Sequence, residues 1–347
     1  MGAFTAEEAA NVFNSILDFN IKGRTIDQIK QARPLVDEMT KRQKTFPGGK
    51  DVITTPVRGS YTTTLMGFSH DDEVAYANPA NTKRASYNWK ELHCGIQTTL
   101  TELKHAGISI VDSARSERMS NHPEQDVIEL TNIFQEKTYD MMEGSMVDFA
   151  KILLRDGSAD PTVFPGITSL LTTSPSTGTT GGIDRSLNSW YRNRADMALS
   201  TTTPSDMAIS RKLQQELRQL RRYKPDAKHR MYAGSDFIDA WEQEFRAKGL
   251  ITQAGWNRSG KIDPSVADVA FKGVELVYEP FMDDESMADQ MLMIDHDSIC
   301  LYVMSGEDWK EHNPARPHNK YTMYRALTWT GGIVAKQLNS SGRYGLA

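Results

Sequence analysis

The chain is poor in cysteine: Cys94 and Cys300 are the only two, and they lie far apart. Neither has metal-ligand spacing, and two thiols cannot build a disulfide framework. Both are expected to be buried or reduced thiols. Long hydrophobic runs are missing too, and no stretch approaches the roughly 20 apolar residues that a membrane span needs. Residues 1–20 are amphipathic and acidic, with Glu7, Glu8 and Asp18, and lack the basic start and apolar centre of a signal peptide, so synthesis in the cytoplasm is expected. There is no basic excess: the formal net charge is −5. A protein that grips DNA through its phosphates usually carries a basic balance or stripe, so sequence-specific nucleic-acid binding is disfavoured. A wall that encloses DNA without gripping it stays allowed. The chain does not lack ordinary folding material. With 39% hydrophobic and 24% charged residues over 347 positions, it reads as a folded protein with one large core or two moderate ones.

Catalytic and cofactor signatures are also scarce. The glycines at 178, 181 and 182 are not followed by Gly-Lys-Ser/Thr, so no phosphate-binding loop forms there. No Gly-x-Ser-x-Gly elbow and no His-Glu-x-x-His occurs. Asp295-His296-Asp297, with Asp283-Asp284-Glu285 nearby, could supply metal ligands, but adjacent residues rarely converge on one ion. A polar turn between two strands is the commoner meaning. His93 beside Cys94 resembles a nucleophile pair only on paper, because neighbours on a strand point to opposite faces. No catalytic, cofactor-binding or metal-binding residue is assigned, and no enzyme activity is expected.

What is present is an unusual ordering of elements. Phe4, Val12, Phe13, Ile16 and Leu17 recur at helical spacing, and Ile26, Ile29 and Val36 suggest a second short helix before Pro47-Gly48-Gly49 breaks the chain. Residues 57–68, rich in Thr, Tyr and Val, predict a strand, and 85–110 predict another. Between them lies a polar tip, 70–84, so a long projecting hairpin is expected; such an arm needs a partner to cover it. Residues 126–155 contain no proline and one glycine, and Val127, Leu130, Phe134, Met141, Met142, Phe149 and Leu153 mark an apolar stripe. That predicts a helix of about 45 Å ending near Gly157. A Pro/Ser/Thr/Gly-rich crossing follows over 160–182. Thr203-Pro204-Ser205-Asp206 has the form of a capping box for a helix with Ile209, Leu213, Leu217 and Leu220 inward and a basic outer face, most often simply solvated and otherwise a subunit-contact or DNA-lining face. A third helix is predicted over 235–248 with Gly249 as its stop. Strands are predicted at 269–271, 274–279, 291–294, 299–303 and 320–336.

This order resembles the Hong-Kong-97-type coat-protein fold of tailed double-stranded DNA bacteriophages, an α+β architecture. Phe164-Pro165-Gly166-Ile167, Gly182-Ile183-Asp184-Arg185 and Trp190-Tyr191-Arg192-Asn193 are similar to segments of one branch of phage major capsid proteins. Leu327-Thr328-Trp329-Thr330-Gly331-Gly332 and Gln337-Leu338-Asn339 are similar to that branch's C-terminal strand. The resemblance spans essentially the whole chain. It implies an N-terminal arm over 1–50, an extended β-hairpin loop over 51–112, and a peripheral domain over 113–230 and 318–347 containing a spine helix at about 126–155. An axial domain would occupy 231–317. It further implies a structural head protein forming hexamers and pentamers of an icosahedral shell around double-stranded DNA, assembled in the host cytoplasm and residing in the virion. Partners would be copies of itself, a portal, a scaffold and decoration proteins. Covalent Lys–Asn cross-linking is not carried over: Lys83 and Lys90 lie in the loop, but no motif marks an asparagine partner. The alternatives are an encapsulin-type nanocompartment shell of the same fold, a metal-dependent enzyme using Asp295, His296 and Asp297, and a minor tail or head-decoration protein.

Overall fold

A computed structural model of the protein describes residues 30–78, 81–99, 101–102, 124–247, 270–271, 273–312 and 322–347. The chain divides into two units, Met1–Ala32 and Arg33–Ala347. The predicted N-terminal helix, Ile26, Ile29 and the Gly249 stop lie outside the described residues. From Arg33 onward the elements begin with helix α1 (Pro34–Lys41) and strands β1 (Lys44–Phe46), β2 (Val52–Arg58), β3 (Thr82–Asn88) and β4 (Lys90–Thr99). The long helix α2 (Glu124–Leu154), the short α3 (Ile167–Leu170), and strands β5 (Thr179–Thr180), β6 (Ile183–Asp184) and β7 (Arg194–Leu199) come next. Helix α4 (Ala208–Tyr223), β8 (His229–Ala233), helix α5 (Ser235–Ala247), β9 (Ala270–Phe271), β10 (Val274–Tyr278) and the short α6 (Pro280–Asp284) follow. The chain closes with β11 (Gln290–Asp295), β12 (Ile299–Met304), β13 (Lys310–His312), β14 (Thr322–Ala335) and β15 (Gly342–Leu346). The architecture is mixed helix and sheet.

Helix α2 has 31 residues, about 46 Å of rise. Its described half buries Met141, Ser145, Phe149, Ala150, Leu153 and Leu154, one stripe at helical spacing, while Met142 is exposed. The helix stops where its last carbonyls find other donors. Gly166 N–H donates to Arg155 O at 2.9 Å and Thr168 Oγ1 to Leu154 O at 2.6 Å. Gly166 is required there, since a Cβ would lie 2.3–2.5 Å from three carbonyl oxygens of that last turn. The crossing segment thus caps the long helix, satisfying acceptors that helix ends leave open.

Two sheets organise the rest. In the first, β14 is the spine: β4 runs antiparallel to it from Thr322↔Thr99 to Gly331↔Lys90, and β12 pairs with its other end from Val303↔Gly331 to Ile299↔Ala335. The second sheet has six strands in the order β7-β15-β11-β8-β10-β9. Its middle strands alternate between two cores, as side chains on a pleated strand must. Met291 and Met293 of β11 and Met231 of β8 enter a core with α4 and α5, formed by residues such as Leu213, Leu217, Phe237 and Trp241. Leu292, Ile294 and Tyr232, on the opposite face, enter a larger core with α1, α2, β12 and β14. Phe149, Phe164 and Trp329 stack at its centre, with Phe149 and Trp329 edge-to-face at 4.9 Å.

Three local expectations change. The strand expected over 57–68 is β2, ending at Arg58, and residues 59–69 have no regular structure. Threonine and tyrosine favour strands only where a ladder partner exists, and β3 offers partners only back to Thr82. The described part of the second strand, expected over 85–110, is two strands, because β4 leaves the hairpin to pair with β14; residues 103–110 lie outside the described residues. The helix expected near Thr203 begins at Ala208: Pro204–Asp206 form one 3-10 turn, and Met207 takes a left-handed conformation at φ 52°. Thr203 makes no capping bond. The cap comes from Glu244 of α5, whose carboxylate accepts Ile209 N–H at 2.7 Å, Ser210 N–H at 3.0 Å and Ser210 Oγ at 2.8 Å.

Candidate assembly surface

The most conspicuous surface feature is built on the β2–β3 hairpin. At its base, Val57, Ala85 and Tyr87 are buried in the larger core. Tyr87 Oη lies 2.5 Å from Tyr191 Oη and donates to Ala335 O at 2.9 Å; burial and the adjacent phenol push its pKa well above the usual tyrosine value. Ser86 N–H donates to Gly181 O at 2.9 Å. Gly181, at φ +58°, leaves only the space that Ala85 and Tyr87 occupy. Gly59 lies against the Trp190 ring, where a Cβ would sit 2.0 Å from a ring carbon.

The motifs at 182–185 and 190–193 therefore build a socket. Asn193 Nδ2 donates to Thr172 O at 2.8 Å, and Arg192 donates to Arg185 O at 2.6 Å and Ser186 O at 2.8 Å. Arg185, itself buried, donates to Thr172 Oγ1 and to Gly178 O. Lys83 Nζ donates to Asn188 Oδ1 at 2.7 Å from the hairpin side. These are packing and turn contacts that tie the glycine-rich crossing to the hairpin base.

Among the described residues, the hairpin beyond Gly59 makes no such contacts with the core. Asn81 Nδ2 bonds Ser60 O at 2.8 Å, and Ser69 and Asp72 close a small turn. Tyr61 is 86% exposed, Leu65 104%, Phe68 71% and Tyr76 93%. A run of large apolar side chains held out in water marks an interaction site. Sequence patterning foresaw a projecting arm but took 57–68 as paired strand, and so missed that these side chains stand uncovered.

The residues weighed for chemistry are occupied otherwise. Asp295 is fully buried: its Oδ2 accepts Lys224 Nζ at 2.6 Å, Ser298 Oγ at 2.5 Å and Ser340 Oγ at 3.1 Å, and its Oδ1 accepts Asp297 N–H at 3.2 Å. Despite burial, these donors hold its pKa below the usual carboxylate value. His296 Nε2 lies 2.8 Å from Tyr232 Oη, and burial depresses its pKa to about 4. Asp297 faces Arg42 at 3.4 Å. Asp283 accepts Ser235 N–H and Tyr278 Oη, and Glu285 holds Arg155 through two bonds of 2.7 Å. His93 is exposed and Cys94 half-buried on the other face of β4; Cys300 is buried. Among the described residues, no group of three or more His, Cys, Asp or Glu could hold a metal ion, and no helix is long and apolar enough to cross a membrane.

No family model and no curated protein matches the chain. Solved structures do. The capsid of cyanophage A-1(L) superposes with a TM-score of 0.60 at 14% identity, covering 94% of this chain and 96% of that one. The capsid of a native GTA particle gives 0.55 at 11% identity, covering 95% and 96%. A structure of Gordonia phage Cozz gives 0.51 at 11% identity, covering 100% and 96%. The chain has the fold of phage capsid proteins, end to end. Identities this low establish the fold.

Proposed function

We propose that the protein is the major capsid protein of a tailed double-stranded DNA bacteriophage. The observation that carries the reading is the end-to-end likeness to capsid subunits, with 94–96% of both chains covered in the cyanophage and GTA cases. Support comes from the uncovered apolar tip of the hairpin, which a lone subunit has no means to bury. In this reading residues 51–112 form the extended loop lying over a neighbouring subunit, and α2 is the spine of a peripheral domain over 113–230 and 318–347. The axial domain, over 231–317, contains α5, α6 and strands β9 to β13. Subunits assemble as hexamers and pentamers into an icosahedral shell with a portal, a scaffold and decoration proteins. The shell is built in the host cytoplasm and encloses DNA without reading its sequence. The role is structural, with no catalytic step.

The test is to express the protein alone and with its portal and scaffold partners, followed by negative-stain microscopy and sedimentation. Closed shells, tubes, or free pentamers and hexamers are expected. A compact monomer under both conditions refutes the proposal.

A further inference from the structure

Helix α4 carries a surface that the shell reading leaves unused. Its inner side, Ile209, Leu213, Leu217 and Leu220, is fully buried on the six-stranded sheet. Its outer side is exposed at Arg211, Gln215, Arg218, Gln219 and Arg222, with Arg221 half-buried. At 100° per residue, Arg211, Arg218 and Arg222 fall within about 40° of one another and form a line roughly 16 Å long. The single acid of the helix, Glu216, is turned inward and held by Arg194 at 2.6 and 2.9 Å. Among the described residues, none of the four arginines pairs with a carboxylate. Such a line of uncompensated arginines stands out on a chain whose net charge is −5.

We propose that the outer face of α4 is a sequence-independent binding face for the phosphate backbone of double-stranded DNA. Guanidinium groups pair with phosphate through two parallel N–H bonds, and glutamine amides add further donors. The face has no aliphatic side chain at its centre. Interfaces between copies of one chain have apolar cores, whereas DNA-binding faces are polar and positively charged. That contrast favours DNA over the rival occupant, the outward acids Asp236 and Asp239 of α5 on a second copy. The choice of DNA among polyanions rests on the reading of the protein as a genome-enclosing shell.

The test measures binding of the full chain to two unrelated 30-bp duplexes by fluorescence anisotropy over a range of NaCl concentrations. Each phosphate contact contributes about 0.9 to the slope of log K against log salt, so Arg211→Gln/Arg218→Gln/Arg222→Gln should lower that slope by about 2.7. Wild type should then lose about 40-fold more affinity than the variant between 50 and 200 mM salt. The corresponding Arg→Lys triple should keep the slope, and both duplexes should bind alike. A control with the same charge change, Lys50→Gln/Arg58→Gln/Arg84→Gln, should leave it unaltered. Absence of wild-type binding at 50 mM salt overturns the proposal, as does an equal loss in the control. So does a result in which the α4 triple and Asp236→Asn/Asp239→Asn both abolish assembly while DNA binding persists, because that identifies a contact between copies. If wild type forms no shell, the capsid reading fails on its own, and the anisotropy result still decides the α4 face.

Discussion

Glu279 is the residue whose replacement tests the packing most sharply. It is 1% exposed, and its Oε2 accepts Leu35 N–H at 2.9 Å. It thus anchors the start of α1 to the start of α6. No cation pairs with it among the described residues, and burial pushes its pKa up to about 7. A carboxyl whose folded pKa is raised favours the neutral form in the fold. Its contribution is therefore fully present below pH 4.5 and is lost as pH rises towards 7; above that, the fold bears the whole cost of a buried anion. Raising the carboxyl from its ordinary 4.5 to about 7 corresponds to roughly 3 kcal/mol against the anion. Glu279→Gln keeps an acceptor for Leu35 and removes the charge. The variant should match wild type at pH 4.5 and exceed it by about 3 kcal/mol at pH 8, about 4–5 °C in melting temperature for a chain this long. Glu279→Leu leaves the Leu35 N–H without an acceptor and should destabilise by about 1–3 kcal/mol at pH 4.5, a deficit that removal of the buried charge offsets at pH 8. Thermal melts of the unassembled subunit from pH 4.5 to 8.5 measure both. A Gln-minus-wild-type difference that stays flat with pH refutes the argument.

His296 has the opposite sign: buried neutral with its pKa depressed to about 4, it contributes stability above pH 6.5 that is lost as pH falls towards 4. Urea titrations should show His296→Gln narrowing the stability gap between pH 7 and pH 5, and an unchanged gap would contradict the assignment. Gly166→Ala puts a methyl 2.3–2.5 Å from three carbonyls at the end of α2 and should destabilise by several kcal/mol or prevent soluble expression; a melting temperature within 1 °C of wild type would count against the packing described. Replacing Tyr61, Leu65, Phe68 and Tyr76 with serine should leave the subunit's stability within about 0.5 kcal/mol, while assembly measured by light scattering falls. Loss of subunit folding would mean that the tip is part of the core.

Elements whose cause is local could be read directly from sequence. Helix α2 was legible because nothing over 126–155 interrupts it and Gly157 follows. The Asp295–Asp297 turn was legible because a short polar stretch separates two apolar runs. Elements whose cause is distant were not. The start of α4 depends on Glu244, 35 residues downstream, whereas the Thr203 capping box is a local signal that tertiary contacts override. The end of β2 depends on where β3 runs out of partners, and the departure of β4 depends on a strand more than two hundred positions later. The uncovered tip was half visible: polarity and turn residues announced an excursion, but the strand propensity of 57–68 concealed its apolar side chains. The acidic triplets drew attention as ligands because sequence displays charge without showing that Lys224, Ser298 and Ser340 already surround Asp295.

The full-length pairing of β4 with β14 has a mechanical consequence. The tip is continuous through β3 with β4, and all ten residues of β4 are laddered to β14. Tension drawn along β4 loads those cross-strand bonds in shear, so they resist together and must fail together, where a peeling force would open them one at a time. The β4–β14 pair is therefore a tether, able to carry a pull from the exposed tip into the spine of the first sheet without unzipping.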